Sequence, residues 1–345
     1  MQAPAPAPRP AAPPPPSPHA DAAWAPLPPA PAAAVATAAA GWAPPPPRPL
    51  PRAGLMTPDQ RRTAFAAAAA AAASRDAAAL AAGPYSGGEQ RTAEWRALRD
   101  ARLTASAFGN ALGFWPRGRE ELWAEKAGLA APFAGNAATA YGTRAEPAAL
   151  AAYAAATGAA VADCRFEVLL DDDAHRWLGA SPDGLVTRGG ADGVLEIKCP
   201  FNRGRPDTVA PWPHPPDYYM PQVQGLLAVL GRPWCDVWCW TPARGAAAWR
   251  VDADPGYWAA AYDVLADFWW AHVVPARHAL AVAEGEGGVA GRAAAAATLL
   301  PPPSSHPLTP ALRARSLAMA KAAPMVRFEA HQLPRVDVRE ILGEG

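Results

Sequence analysis

Residues 181–200 read SPDGLVTRGGADGVLEIKCP, and the interpretation of the whole chain depends on this stretch. Asp183 stands on a Pro-Asp-Gly corner, and Glu196 and Lys198 flank Ile197 in a short apolar run. Because side chains alternate along a β-strand, residues 196 and 198 point to the same face. The pattern fits two interpretations. One is a hairpin turn followed by an ordinary ion pair, and the other is half of a metal-dependent active site.

The apolar neighbours of Glu196 favour the active site. Leu195 and Ile197 indicate a buried strand, in which an unpaired Glu or Lys is costly. Two carboxylates can hold a divalent cation that polarises a phosphoryl group and lowers the pKa of a water molecule. A lysine beside them can orient that water or stabilise developing charge. Oxygen ligands of this kind favour Mg²⁺ or Mn²⁺ over zinc.

A second acidic residue lies on a predicted helix, YGTRAEPAALAAYAAATG (141–158). Glu146 shares the apolar stripe of this helix with Leu150 and Tyr153. We predict the helix over 144–157, which puts Glu146 near its N-terminus. There it either interacts with the helix dipole or is a functional acid.

Two glutamines lie in the stretch DYYMPQVQGLLAVLG (217–231), where we predict a helix over about 218–230 that packs its leucines inward. Gln222 and Gln224 bracket Val223. Taken alone, they are ordinary surface glutamines.

Taken together and in chain order, these segments form a recognisable set. Glu on a helix, Pro-Asp, Glu-x-Lys and Tyr-Met-x-Gln-x-Gln resemble the PD-(D/E)xK nuclease superfamily, and specifically its lambda-exonuclease/YqaJ viral recombinase family. The segment EWRALRDARLTASAFGNALG (94–113) looks like the opening Trp-x-x-Leu-Arg…Thr-Ala-Ser segment of that family. The resemblance covers about residues 94–270.

The resemblance implies a role for each matching residue. Asp183 and Glu196 would ligate the metal with the backbone carbonyl of Ile197, and Glu146 would complete the acidic cluster. Lys198 would contact the nucleophilic water.

Three further positions match residues of the family's site. Gln222 matches an active-site glutamine. Arg99 and Ser106 match positions that hold a terminal 5′-phosphate, a task that suits the planar fork of Arg. Without the resemblance, Arg99 is an ordinary exposed helix residue.

The activity implied is 5′→3′ exonuclease digestion of linear duplex DNA in recombination or repair, with Mg²⁺ or Mn²⁺ as cofactor. The expected partners are double-stranded DNA, a homotrimeric assembly and a single-strand annealing protein. Two alternatives stay open, namely a structure-specific or restriction-like endonuclease on the same fold, and a catalytically silent DNA-binding module.

The predicted fold class is α+β, with a restriction-endonuclease-like core in which helices flank a mixed central β-sheet. Composition divides the chain into four parts. Residues 1–56 are a disordered Ala/Pro-rich leader, and 57–90 are an Ala-rich helical arm or linker. The nuclease domain spans 91–280, and 281–345 are a low-complexity linker and tail.

Charge and cysteine content set further limits. Residues 91–280 carry 18 Arg and Lys against 21 Asp and Glu, which argues against bulk binding to a polyanion but leaves room for a local basic channel. No strongly apolar run reaches the about 18 residues of a membrane span. The four cysteines are too scattered for a secreted disulfide scaffold, so we expect an intracellular protein. A chloroplast or mitochondrial transit peptide is the alternative interpretation of the acid-poor leader.

One cysteine pair raises a rival cofactor. Cys235 and Cys239 fall on one face of a strand-like run, and an Fe–S cluster would need four cysteine ligands. We therefore expect both to pack in the core and expect no Fe–S cluster.

Overall fold

A six-stranded mixed sheet carries the site residues. The computed structural model describes residues 92–169, 176–188 and 191–342. The nine strands in these ranges are β1 Leu103–Thr104, β2 Ala160–Ala162, β3 Glu167–Val168, β4 Leu178–Ala180, β5 Gly184–Arg188, β6 Ala191–Lys198, β7 Trp234–Thr241, β8 Gly245–Asp252 and β9 Met325–Phe328. The main sheet has the order β2-β5-β6-β7-β8-β9, and a smaller one has the order β1-β4-β3. In the main sheet only β6 and β7 run parallel.

Helices cover both faces of the main sheet. In the described ranges they are α1 Ala93–Asp100, α2 Phe108–Ala111, α3 Gly118–Ala127, α4 Ala137–Thr157, α5 Met220–Leu230, α6 Pro255–Ala266, α7 Val274–Ala296, α8 Thr309–Ala322 and α9 Val338–Leu342, with a π-helix at Asp267–Val273. The α+β class with a mixed sheet flanked by helices is thus confirmed. Within the described ranges, none of the helices has the length and apolar character that a membrane crossing requires.

The alternation of β6 separates two apolar cores. Leu195 and Ile197 face α4 in one core, whereas Val194 faces α5 and α6 in the other. Glu196 and Lys198 share the face of Val194, so their side chains point towards α5. The parallel pairing of β6 with β7 holds this strand in the middle of the sheet.

Helix α4 is longer than predicted. Its N-terminus is fixed by a capping box in which Asn136 and Thr139 each bond the other's backbone N–H, at 3.0 and 2.7 Å. Gly158, with φ of 63°, ends the helix in the left-handed conformation. The helix therefore begins at Ala137, seven residues before the predicted start at 144.

Helix α5 packs closely against α2. A Cβ atom on Gly225 would clash with the Phe108 ring of α2, so a larger residue would push the two helices apart. Gly225 therefore permits the close packing of α5 on α2.

Residues 92–112, whose sequence pattern is largely helical, do not form one continuous helix. Leu103 and Thr104 form β1, which pairs in parallel with Leu178 and Gly179 of β4. Leu103 is fully buried, so its packing and backbone pairing outweigh the helical pattern around it.

The predicted end of the packed domain near residue 280 is too early. Strand β9 pairs with β8 and completes the main sheet, and Leu312 and Ala320 of α8 are buried in the core beside α6. The Ala-rich composition of 281–345 hid these apolar positions. The predicted leader (1–56), the whole predicted arm (57–90) and the boundary at residue 91 lie outside the described residues.

We expect Phe328→Ala to lower the free energy of unfolding by about 3 kcal/mol, because it leaves a cavity beside Trp238. The ring of Phe328 is 6% exposed and lies 5.4 Å from that of Trp238. Urea denaturation of the full chain measures the change. Met325 on the same strand is 44% exposed, so Met325→Ala is the control and should cost less than about 1 kcal/mol. Equal losses for the two variants would contradict the packing of β9.

Candidate active site

Asp183 joins the start of β5 to the end of β6. It is half-buried, and its Oδ2 accepts the Ile197 backbone N–H at 2.6 Å. Burial raises the pKa of this carboxyl well above its ordinary value. The charge of Glu196 raises it further, and Glu146 adds a smaller contribution, while Lys198 and the Ile197 N–H oppose the shift. Because two negatively charged residues surround this half-buried acid, a positive charge at the same place would be stabilised.

Glu196 and Lys198 contact each other, and Tyr219 and Gln222 lie against them from the N-terminal end of α5. We call these four side chains the cage around Glu196. The Glu196 side chain is 4% exposed, and its Oε1 contacts Lys198 Nζ and accepts a hydrogen bond from Gln222 Nε2 at 2.6 Å. Lys198 Nζ also lies 3.4 Å from Gln222 Oε1 and 4.8 Å from the ring centre of Tyr219. Burial alone would lower the pKa of Lys198, but the charges of Glu196 and Asp183 raise it above its ordinary value. The lysine is therefore an ammonium at neutral pH.

The structure distinguishes the two glutamines of α5. Gln224 is buried and bonds backbone groups, donating to Asp252 O and accepting from Asp254 N, each at 2.8 Å. Gln222 instead reaches Glu196 and Lys198. Gln224 therefore has a structural role, and Gln222 lies in the site as predicted.

Glu146 is half-buried on α4 and lies close enough to Asp183 to raise the pKa of that carboxyl. Because α4 begins at Ala137, Glu146 is more than two turns from the N-terminus, beyond the first turn where the helix dipole acts. The dipole explanation for an acid at this position is thus wrong. What distinguishes Glu146 is its electrostatic coupling to Asp183.

The residues present fit a hard divalent cation. Glu196 Oε2 is buried and accepts no hydrogen bond from the described residues, although a buried carboxylate oxygen is normally paired. Asp183 lies beside it. In an extended strand the N–H and C=O of one residue point to the same side, so the Ile197 carbonyl faces the side where Asp183 lies. These are oxygen donors, of which Mg²⁺ needs only one or two carboxylates besides water and phosphate.

Glu146, Asp183 and Glu196 do not form the single metal-binding cluster that the resemblance implies. Among the described residues, no three or more His, Cys, Asp and Glu side chains form a group that could hold one metal ion. Lys198 Nζ, in contact with Glu196, supplies the positive charge that the carboxylates need. The donors that fit a cation are therefore Asp183 and Glu196, with Glu146 acting on them through its charge.

The two residues matched to 5′-phosphate binding lie together. Arg99 Nη2 donates to Ser106 Oγ at 3.1 Å, and the Arg99 guanidinium lies 4.4 Å from the ring centre of Trp95. Trp95 Nε1 in turn donates to Ser181 Oγ at 3.3 Å, two residues before Asp183. Sequence reasoning did not assign roles to Trp95 and Ser181, although both stand inside the quoted motifs.

Cys235 and Cys239 are fully buried in the core between the sheet and α5, as predicted. Burial raises the pKa of both thiols. They are packing residues of β7.

A family model bears out the resemblance over part of the chain. Residues 94–233 match the model of the YqaJ-like viral recombinase domain. No curated protein matches the chain. The crystal structure of an alkaline exonuclease (LHK-Exo) from Laribacter hongkongensis is similar at 27% identity and a TM-score of 0.45, covering 56% of this chain and 98% of that chain. The structure of LHK-Exo in complex with dAMP is similar at 27% identity and a TM-score of 0.47, covering 57% and 100%.

Proposed function

We propose that this chain, whose residues 94–233 match the model of the YqaJ-like viral recombinase domain, is a metal-dependent deoxyribonuclease that digests linear duplex DNA from the 5′ end in recombination or repair. The observation that carries the proposal is the cage around Glu196. A buried carboxylate, one oxygen of which accepts no hydrogen bond within the described part of the chain, is electrostatically coupled to Asp183 and contacts both Lys198 and Gln222. A protein without hydrolytic function gains nothing from burying these charges together.

Asp183, Glu196 and the Ile197 carbonyl would hold Mg²⁺ or Mn²⁺. When bound, the cation would supply charge neutralisation, polarise the phosphodiester and lower the pKa of a water. Asp183 is fixed for this task by the Ile197 N–H, which leaves its other oxygen for the ion. The charge of Glu146 increases the attraction of the site for a cation.

Lys198 would act on the water and on the charge that develops at the phosphate. Its ammonium has protons to donate but none of the accepting capacity of a base, so its role is orientation and electrostatic stabilisation. Gln222 donates a hydrogen bond to Glu196 and also contacts Lys198, so it fixes the positions of the two side chains relative to each other.

Arg99 and Ser106 would bind the terminal 5′-phosphate and so set the end preference. We expect Arg99→Lys to reduce the preference for 5′-phosphorylated over 5′-hydroxyl duplex by about tenfold, because Lys cannot bind phosphate through a bidentate fork. Initial rates on the two substrates measure the ratio. Arg96→Lys, on the same helix but exposed, is the matched control. An unchanged ratio in Arg99→Lys would remove Arg99 from end recognition.

The experiment that tests the function compares linear and circular duplex DNA with Mg²⁺, Mn²⁺ or EDTA. An exonuclease degrades only the linear form, and an endonuclease also cuts the circle. Binding without cleavage under all metal conditions would support the silent DNA-binding alternative and overturn the nuclease proposal. A trimer, a single-strand annealing partner and an intracellular or organellar location stay predictions from the sequence.

A further inference from the structure

Four aromatic residues form a continuous series from the surface to Lys198, and the proposed catalysis does not use most of them. We define Trp115, Tyr218, Tyr219 and Trp212 as the aromatic row. The ring centres of Trp115 and Tyr218 lie 4.9 Å apart, and those of Tyr218 and Tyr219 lie 4.6 Å apart. Trp212 stacks on Tyr219 at 5.7 Å with an interplanar angle of 25°.

The outer end of the aromatic row is exposed, whereas its three other rings are half-buried. Tyr219 lies 4.8 Å from Lys198 Nζ, and Tyr218 and Trp212 are half-buried against the core. Trp115, at the outer end, is 42% exposed. Core packing accounts for the inner rings but does not account for a tryptophan of which nearly half is in water.

We propose that the aromatic row binds unpaired nucleobases of a DNA strand that leads to or from the active site. Aromatic faces stack on any base, at about 1–3 kcal/mol per base, without reading its sequence. In a duplex the base faces are already covered by their neighbours, so the aromatic row selects single-stranded DNA. The inference rests on the proposed nuclease function for the choice of nucleic acid over a protein partner, because the aromatic row ends at Lys198.

The test measures binding of the full chain, in EDTA, to a fluorescent oligothymidylate and to an abasic strand of the same length. The abasic strand keeps the phosphates and removes only the bases. We expect the wild type to prefer the base-containing strand by at least about fivefold, which corresponds to the lower end of one stacked base. Trp115→Ala should lose most of this preference, and Trp115→Phe, which retains a ring, should keep most of it. Tyr218→Phe also retains its ring and should behave as the wild type.

A preference that is the same in Trp115→Ala and in the wild type would overturn the inference, as would a wild type that binds both strands equally. Thermal melting of each variant checks that the exposed substitution leaves the fold intact. Because no metal is present and no DNA is cut, the outcome is independent of hydrolysis. A chain that shows the preference but cleaves nothing would refute the nuclease proposal alone. A chain that cleaves DNA without the preference would refute the aromatic row alone.

Discussion

Asp183→Asn is expected to lower the rate of DNA hydrolysis by about three orders of magnitude, or about 4 kcal/mol of transition-state stabilisation. The amide keeps an oxygen that can accept the Ile197 N–H but loses the charge needed to hold a cation. Initial rates on linear duplex with Mg²⁺ measure the effect. Asp192→Asn is the matched control, since Asp192 lies on β6, the strand of Glu196, but is exposed and paired with Arg232. A rate within about threefold of wild type would remove Asp183 from the reaction.

Stability gives an independent readout of the same substitution. The pKa of Asp183 is raised in the folded chain, so folding favours its protonated form. As the pH rises through that pKa, the wild type without metal must ionise a half-buried acid and loses stability. The asparagine variant cannot ionise, so its melting temperature in EDTA should exceed that of the wild type by more at alkaline than at acidic pH. A difference in melting temperature that is independent of pH would mean that folding does not raise the pKa of Asp183.

Lys198→Met is expected to lower the hydrolysis rate by about two to three orders of magnitude while leaving metal binding intact or tighter. The rate falls because the variant lacks the ammonium that would stabilise developing charge, a contribution of about 3–4 kcal/mol in comparable sites. Metal binding improves because Lys198 Nζ competes with a cation for Glu196 Oε1.

Titration with Mn²⁺ and single-turnover rates separate the two effects. Lys321→Met, an exposed lysine on α8, is the control and should change neither quantity. Loss of Mn²⁺ binding in Lys198→Met would show that the lysine maintains the site's structure instead of acting in the reaction.

The elements that sequence predicted best are those in which pattern and tertiary packing agree. The β6 strand is one such element, because its alternation puts Glu196 and Lys198 on one face whatever the rest of the fold does. Helix α5 is another, with its leucines inward and Gly231 at its end in the left-handed conformation. Order along the chain then related these elements to a known family.

What the sequence could not resolve depends on partners distant in the chain. Gln222 and Gln224 are equivalent by pattern, and only the positions of Asp252 and Glu196 distinguish them. The interpretation of Glu146 depended on where α4 begins, and the capping pair Asn136 and Thr139 was hidden in an Ala-rich run.

The C-terminal elements were missed for a related reason. Strand β9 is four residues long, and it gains its stability from pairing with β8. A strand so short carries little periodicity of its own. Its existence follows from the open edge of β8, which the sequence does not display.

The central claim is that Asp183 and Glu196 hold a divalent cation, and crystallography with Mn²⁺ tests it most directly. The anomalous difference map should show a peak within coordination distance of both carboxylates and of the Ile197 carbonyl, with Lys198 Nζ moved off Glu196 Oε1. The same peak should be absent from crystals of Asp183→Asn. A Mn²⁺ ion bound elsewhere in an active enzyme, with the contact between Lys198 and Glu196 intact, would contradict the claim.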